Sequence, residues 1–398
     1  MKSHICYALP PFEHYSPQSG GALATLTSHQ VGELLRRGHR VSVLAPNFVG
    51  EKYDQGNVVT LQVKQREDLN IVQRFISSRV RRRAHKYDWP YFEYYMGVLK
   101  QSLKRLQPDV TILFNDFSAS LEIKQCLPQS KVIVAIHNER PRGHQSDNYL
   151  NRNLDATDQI WCVSDYLSEC NRQLLPRAAN KITTLYNGID EKLFSPRADY
   201  LQTPDLKTPV RVLYVGRTDW HKGTDLVPRA VAQLQAEGEN VRLSVAGAVW
   251  FYNYHHQEEQ PYFRELRGAM KHANADYLGH VARPDIADVF RSADIVCVPS
   301  RCDEAFGLTA LEGMASGCAM VVSRRGGLPE VCGDAALVIE PNAPDELTDA
   351  LRGLVRNREL LRQYKERGRA RALNYRWSVI VDRMEELMGN ATNRSQLN

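Results

Sequence analysis

Short apolar runs rich in Val, Ile and Leu recur along the chain, and longer amphipathic stretches separate them. In the first half the runs are HICYAL (4–9), HRVSVLAP (39–46), VTILF (110–114), VIVAIHN (132–138) and IWCVS (160–164). The pattern restarts with RVLYVG (211–216), VRLSVAG (241–247), DIVCVPS (294–300) and MVVS (320–323). Near-continuous apolar runs alternating with helix-length segments predict βαβ units and mostly parallel sheets. A polar, Pro-containing stretch from Phe194 to Val210 separates the sets and has the composition of a linker. The expectation is two doubly wound, Rossmann-like domains at 1–193 and 210–375, joined by a linker at 194–209. A C-terminal segment, 376–398, completes the chain, with Trp377, Ile380, Val381, Met384 and Leu387 at helical spacing.

Doubly wound sheets bind ligands at the carboxyl ends of their strands, so the turns after the strands are where chemistry is expected. The first strand leads to Gly20-Gly21 directly before a helix carrying Leu23, Leu26, Val31, Leu34 and Leu35. Paired glycines there let main-chain N–H groups approach an anion. The spacing is not GxGxxG, which removes the main support for hydride chemistry. After RVLYVG comes Gly216-Arg217-Thr218-Asp219-Trp220-His221-Lys222-Gly223, in which two cations flank a strand-to-helix turn. A planar guanidinium and a mobile ammonium together suit a diphosphate. Without other signals, two solvated surface cations in a loop would be the favoured explanation of the turn.

The stretch SRCDEAFGLTALEGMASG (300–317) holds Glu304 and Glu312. Residues eight apart on one helix differ by about 80° in azimuth, so a shared solvated stripe does not explain them. Phe306-Gly307 breaks the pattern and places the helix start near Leu308, with Glu304 outside it. Carboxylates can hold sugar hydroxyls while the helix's first amides hold phosphate. The plainer alternative is that both acids complement the helix dipole.

Composition narrows the field. The 51 basic and 46 acidic residues of this 398-residue chain leave a formal charge of +5, too little to imply a nucleic-acid partner. Eight cysteines form no CxxC pair, and several sit in strand-like runs as reduced buried thiols do. The first residues run straight into a strand pattern without an apolar signal core, and no stretch has the length of a membrane span, so a cytoplasmic location is expected. No DxD triplet occurs, and no metal site is expected. One segment is locally basic and aromatic: Gln73 to Tyr95 places Arg74, Arg79, Arg81, Arg82, Arg83 and Lys86 beside Trp89, Tyr91, Phe92, Tyr94 and Tyr95. Such a segment (74–95) could rest on an anionic membrane surface or hold a phosphorylated acceptor, which would make the protein peripheral on the inner face of the membrane. A solvated helix followed by an aromatic core helix is the competing explanation.

Taken together, GRTDWHKG, LGHV (278–281), EAFGLTALE and GGLPE (326–330) resemble the retaining GT-B glycosyltransferases of family 4, the group 1 glycosyl transferases. Gly20-Gly21, His137-Asn138, Val163-Ser164 and NGID (187–190) are similar to landmarks of the family's first half. The resemblance implies an α/β GT-B architecture, two Rossmann-like domains with mostly parallel sheets facing across a cleft. It implies that Arg217 and Lys222 bind the diphosphate of a nucleotide-sugar donor and stabilise the departing charge. Glu304 would face the transferred sugar, Glu312 the ribose, and the main chain of Phe306, Gly307 and Leu308 would add contacts. Gly20 and Gly21 would supply further main-chain donors, and His137 would stand near the reacting sugar.

The implied activity is retaining transfer from a nucleotide-diphosphate sugar, a UDP-sugar favoured, to a saccharide, lipid-linked or other hydroxyl acceptor. A role in bacterial surface polysaccharide, lipopolysaccharide or glycolipid synthesis would follow. A same-face path, in which the leaving phosphate takes the acceptor proton, is preferred to double displacement, because Glu304 is the only nucleophile the motifs offer. No cofactor beyond the donor is expected. Two rivals share parts of the pattern: a nucleotide-sugar epimerase without an acceptor, and a non-enzymatic two-lobed sugar-binding protein.

Overall fold

Alternation of apolar strands with amphipathic helices produces two all-parallel sheets, one in each of two units. A computed structural model of the chain describes residues 2–17, 22–48, 50–62, 92–138, 147–202, 207–249 and 261–390. The first unit comprises Met1–Leu185 with Val381–Asn398, the second Tyr186–Ile380.

In the first unit the strands are β1 (His4–Ala8), β2 (Arg40–Pro46), β3 (Asn57–Leu61), β4 (Val110–Phe114), β5 (Lys131–Ile136), β6 (Gln159–Cys162) and β7 (Ile182–Thr184). Their order is β3-β2-β1-β4-β5-β6-β7, so the winding reverses between β1 and β4. Every residue of both these strands is buried, as expected of central parallel strands covered on two faces. The helices are α1 (Ala22–Arg36), α2 (Phe92–Leu106), α3 (Ser120–Cys126), α4 (Asp147–Ala156) and α5 (Asp165–Leu174). Gly38, at φ +84°, ends α1, and the His39 N–H returns to the Leu34 carbonyl, which turns the chain into β2.

The second sheet contains β8 (Val210–Val215), β9 (Val241–Ala246), β10 (Asp276–Gly279), β11 (Ile295–Val298), β12 (Ala319–Ser323) and β13 (Ala336–Ile339). The order is β10-β9-β8-β11-β12-β13, reversing between β8 and β11. Around it lie α6 (Leu226–Ala236), α7 (Pro261–His272), α8 (Ile286–Arg291), α9 (Leu308–Ala315), α10 (Leu328–Cys332), α11 (Pro344–Arg356) and α12 (Arg358–Ala372). Just before β11, the buried Asp294 carboxylate accepts from Arg197 (2.9 Å), Arg211 (2.9 and 3.0 Å) and Lys365 (2.7 Å). Burial alone would raise this carboxyl, but Arg211 and Lys365 hold it below the usual range.

The last helix, α13 (Trp377–Asn390), crosses the division between the units. Within the first unit its later residues bind the chain beside α1 and β6. Arg37 pairs with Asp382 at 2.5 Å and Glu385 at 2.6 Å, His39 meets Glu385 at 2.7 Å, and Gln159 donates to the Leu387 carbonyl. The division at Leu185/Tyr186 precedes the sequence-based boundary at 193/194. Phe194, whose surroundings read as linker, is buried and meets the Phe290 ring edge-on at 5.9 Å. Four strands, β3, β7, β10 and β13, were not among the apolar runs, and each is a sheet edge.

Candidate functional site

The winding reversal of the second sheet brings together the loops after β8 and β11, which carry both motifs singled out in the sequence. Gly216–Gly223 leaves β8 and includes a 3₁₀ turn, Trp220–Lys222. Asp219 caps that turn: its carboxylate accepts the Lys222 N–H at 3.1 Å, and its other oxygen lies 3.3 Å from Arg217 Nε. Beneath the loop the buried Tyr214 hydroxyl donates to the Arg217 carbonyl at 2.6 Å, and Thr224 donates to Tyr214. The main chain around Arg217 is thereby fixed by groups that water does not reach.

The second loop docks on the first through its main chain. Arg301 and Cys302 donate N–H bonds to the His221 carbonyl at 2.8 and 3.1 Å. The Arg301 guanidinium grips Asp225 in bidentate fashion at 2.6 and 2.9 Å and lies 5.0 Å from the centre of the Trp220 ring. Burial would raise the Asp225 carboxyl, but Arg301 and the Tyr262 hydroxyl hold it below its ordinary range. These contacts leave Trp220 exposed, and Lys222 extends from the same turn toward the second loop.

Lys222 Nζ donates to Glu304 Oε1 at 2.7 Å, and the same oxygen accepts from Ser300 Oγ at 2.5 Å. A third loop, after β12, sets the Glu304 backbone. Gly327 N–H donates to the Glu304 carbonyl at 2.7 Å, and a Cβ on Gly326 would lie 2.2 Å from that oxygen. Gly307, at φ +105°, opens α9, and among the described residues no side chain caps the helix and no acid occupies its first turn. Glu304 and Glu312 therefore do not cap α9, and its positive end is left for an anion. Phe306 is buried between Tyr186 and Tyr375, so its side chain serves the core while its main chain lies in the loop before Leu308.

Glu312 lies inside α9 and has a different partner: Arg283 Nη1 reaches its Oε1 at 2.6 Å. Burial pushes the Glu312 carboxyl up, and Arg283 opposes that shift. Arg283 also packs 5.2 Å from the Phe194 ring centre. Arg283, Ser300, Arg301 and Asp225 were not singled out in the sequence. Ser300 lies in the quoted stretch; Arg283, 29 positions before Glu312, had no spacing signal.

His137 belongs to the first unit, just after β5. Its N–H donates to Asn115 Oδ1 at 2.7 Å, and Asn115 itself takes φ +57°. Its ring stands 5.5 Å from Phe114, and its buried Nδ1 has no hydrogen-bond partner. Burial pushes the imidazole down to about 4, so the ring is neutral at pH 7 and suited to a hydrogen bond more than to charge. Gly20 and Gly21 lie outside the described residues, but the helix they precede has a notable start. The buried Glu13 accepts the Ala24 N–H at 3.1 Å in the first turn of α1. Of the basic-aromatic segment, 74–91 lies outside the described residues, while Tyr95 is buried and donates to the Leu9 carbonyl at 2.5 Å. Among the described residues no helix is long and apolar enough to cross a membrane.

Comparison with known proteins bears on the family and the fold. Residues 23–193 match Glycosyltransferase Family 4, and residues 201–371 match Glycosyl transferases group 1. Spore coat protein SA of Bacillus subtilis is 24% identical over 73% of this chain and 80% of its own. A lipopolysaccharide 1,2-N-acetylglucosaminetransferase of Salmonella typhimurium is 25% identical over 76% of this chain and 77% of its own. Among solved structures, sucrose-phosphate synthase of Thermosynechococcus elongatus superimposes with a TM-score of 0.71 at 18% identity, covering 99% of this chain and 100% of the other. Anabaena HepE in complex with UDP gives 0.69 at 15% identity, covering 98% and 100%. Two parallel-sheet Rossmann-like units, matched half by half to these families, make the chain a glycosyltransferase of the GT-B type.

Proposed function

We propose that the protein transfers a sugar, with retention, from a nucleotide-diphosphate sugar to a hydroxyl acceptor. The observation that carries this reading is the 2.7 Å bond between Lys222 and Glu304 beside the uncapped start of α9. An ammonium, a carboxylate and unspent amides within one loop cluster can hold a diphosphate and the hydroxyls of the attached sugar together. In this reading the diphosphate takes Lys222 and Arg217 as its counter-charges and stacks its oxygens on the main chain of Gly307 and Leu308. Lys222 then shifts part of its interaction from Glu304 to phosphate, which frees Glu304 to accept from sugar hydroxyls. Glu312 receives the ribose hydroxyls.

As the glycosidic bond lengthens, charge collects on the leaving diphosphate, where Arg217 and Lys222 stabilise it. The leaving phosphate oxygen takes the acceptor proton on the same face, which gives retention without a covalent intermediate and without a metal ion. UDP-sugars are the favoured donors; a neighbour of the same fold was solved with UDP and with UDP-glucose. The match to the lipopolysaccharide N-acetylglucosaminetransferase supports a surface-polysaccharide or glycolipid acceptor. The test is incubation of the protein with UDP-, GDP- and ADP-sugars and a panel of saccharide and lipid-linked acceptors, with the anomeric configuration of the product read by NMR. Retained configuration with one donor class supports the reading. Conversion of donor to an isomer without acceptor, or no turnover of any donor, would overturn it.

A further inference from the structure

The loop after β12 carries two consecutive arginines with different fates. Arg324 is exposed and pairs with Glu340 at 3.0 Å. Arg325 is half-buried; its Nε is inaccessible and without a hydrogen-bond partner, and among the described residues no ion pair involves its guanidinium. The nearby Asp303 carboxylate accepts the Gly326 N–H at 3.1 Å instead. A buried guanidinium nitrogen without an acceptor is costly, so the arrangement is explained if an anion completes it.

The place of Arg325 in the fold bears on which anion that is. Because β12 neighbours β11 on the side away from β8, the loops that carry Lys222 and Arg325 flank the Glu304 loop on opposite sides. Gly326 and Gly327 hold the Glu304 backbone, and Leu328, the first residue of α10 directly after that loop, fills the space beside Gly307, where an added Cβ would lie 2.5 Å from Leu328 Cδ2. Arg325 thus belongs to the loop packed against the start of α9. Lys222 and Arg217 already have carboxylate partners, Glu304 and Asp219, whereas Arg325 has none among the described residues.

We propose that Arg325 is a third cation of the donor site, contacting the diphosphate from the side of Glu304 opposite Lys222. The inference rests on the donor reading given above and extends it to a residue outside both loops that motif spacing picked out. Two or three charge-assisted hydrogen bonds from a planar fork suit non-bridging phosphate oxygens better than a sugar hydroxyl.

Isothermal titration of UDP, GDP and ADP, and of the matching uncharged nucleosides, into the wild-type protein and the Arg325→Ala, Arg325→Gln, Arg325→Lys and Lys222→Ala variants tests this. Arg325→Ala and Arg325→Gln are expected to weaken the preferred diphosphate about tenfold or more, with the nucleoside unaffected and Arg325→Lys partly restored. Chemical unfolding of each variant separates lost binding from a lost fold, and the glutamine variant keeps most of the side-chain volume. The inference is overturned if Arg325→Gln binds the diphosphate as the wild type does. It is also overturned if nucleoside binding falls equally. Binding lost in Lys222→Ala but kept in Arg325→Gln removes this inference alone. A wild-type protein that takes up no nucleoside diphosphate removes the donor reading and this inference with it.

Discussion

Gly223 and Pro299 meet so closely that a methyl group on the glycine would lie 2.1 Å from the proline carbonyl oxygen. The glycine also sits at φ +66°, so any side chain there would be strained as well as obstructed. This contact lets the loops after β8 and β11 share main-chain hydrogen bonds. Gly223→Ala is expected to destabilise the protein by about 2 kcal/mol or more and to separate the loops, measured by urea unfolding and nucleotide binding. A variant with unchanged unfolding and binding would show that the loops do not depend on that approach.

Lys222 and Glu304 should be separable from the scaffold. Both are partly accessible, and their pair contributes about 1 kcal/mol or less to folding. In the proposed reaction they act on the developing charge and on the sugar, so Lys222→Ala and Glu304→Gln should each lower kcat by about 10²–10³-fold. Stopped assays beside circular dichroism would decide. Near-normal turnover in either folded variant would remove its assigned role.

Arg283 positions Glu312 and opposes the rise that burial imposes on its carboxyl. Arg283→Met should raise that carboxyl further, so fewer molecules carry the ionised form at neutral pH. Because the ionised form returns as pH increases, the donor KM of the variant should be raised about tenfold at neutral pH and recover toward the alkaline side. The effect on kcat should be smaller, and Arg283→Lys should restore part of the affinity. A KM defect independent of pH would argue for a packing effect alone.

His137 gives a pH dependence of stability instead of binding. Its imidazole is held down to about 4 against an ordinary value of 6.5. Between those values the unfolded chain binds a proton that the folded chain refuses, so stability is lost as pH falls from 6.5 toward 4. His137→Gln should flatten that part of the stability profile, which urea midpoints at several pH values would show. Parallel profiles for the two proteins would mean that the neutral ring makes no difference to folding.

The sequence displayed the central strands more readily than the sheet margins. β1, β4 and β11 are buried throughout and read as unbroken apolar runs. The missed strands lie at the edges and are shorter or only partly buried: β10 (Asp276–Gly279) has no buried residue, and β7 (Ile182–Thr184) has three residues in all. Pairing on one side only leaves such strands with little periodic signal. Both loops of the site were visible because Gly, Lys, Arg and Glu interrupt apolar context at a strand end. Their braces were not, since Asp225 meeting Arg301 and Glu312 meeting Arg283 are contacts that only the folded topology creates. Phe194 misled for a related reason: one buried ring amid polar neighbours reads as part of a linker.

Glu304 is anchored at both ends, through its carbonyl by the Gly327 amide and through its carboxylate by Lys222 and Ser300. The Gly327 bond does not involve the carboxylate, so an exchange of the side chain leaves that main-chain anchor in place. In the proposed reading a change of this side chain is therefore felt in turnover and not in the shape of the loop, whereas Gly307 and Gly326, with no room for a Cβ, tolerate almost no change.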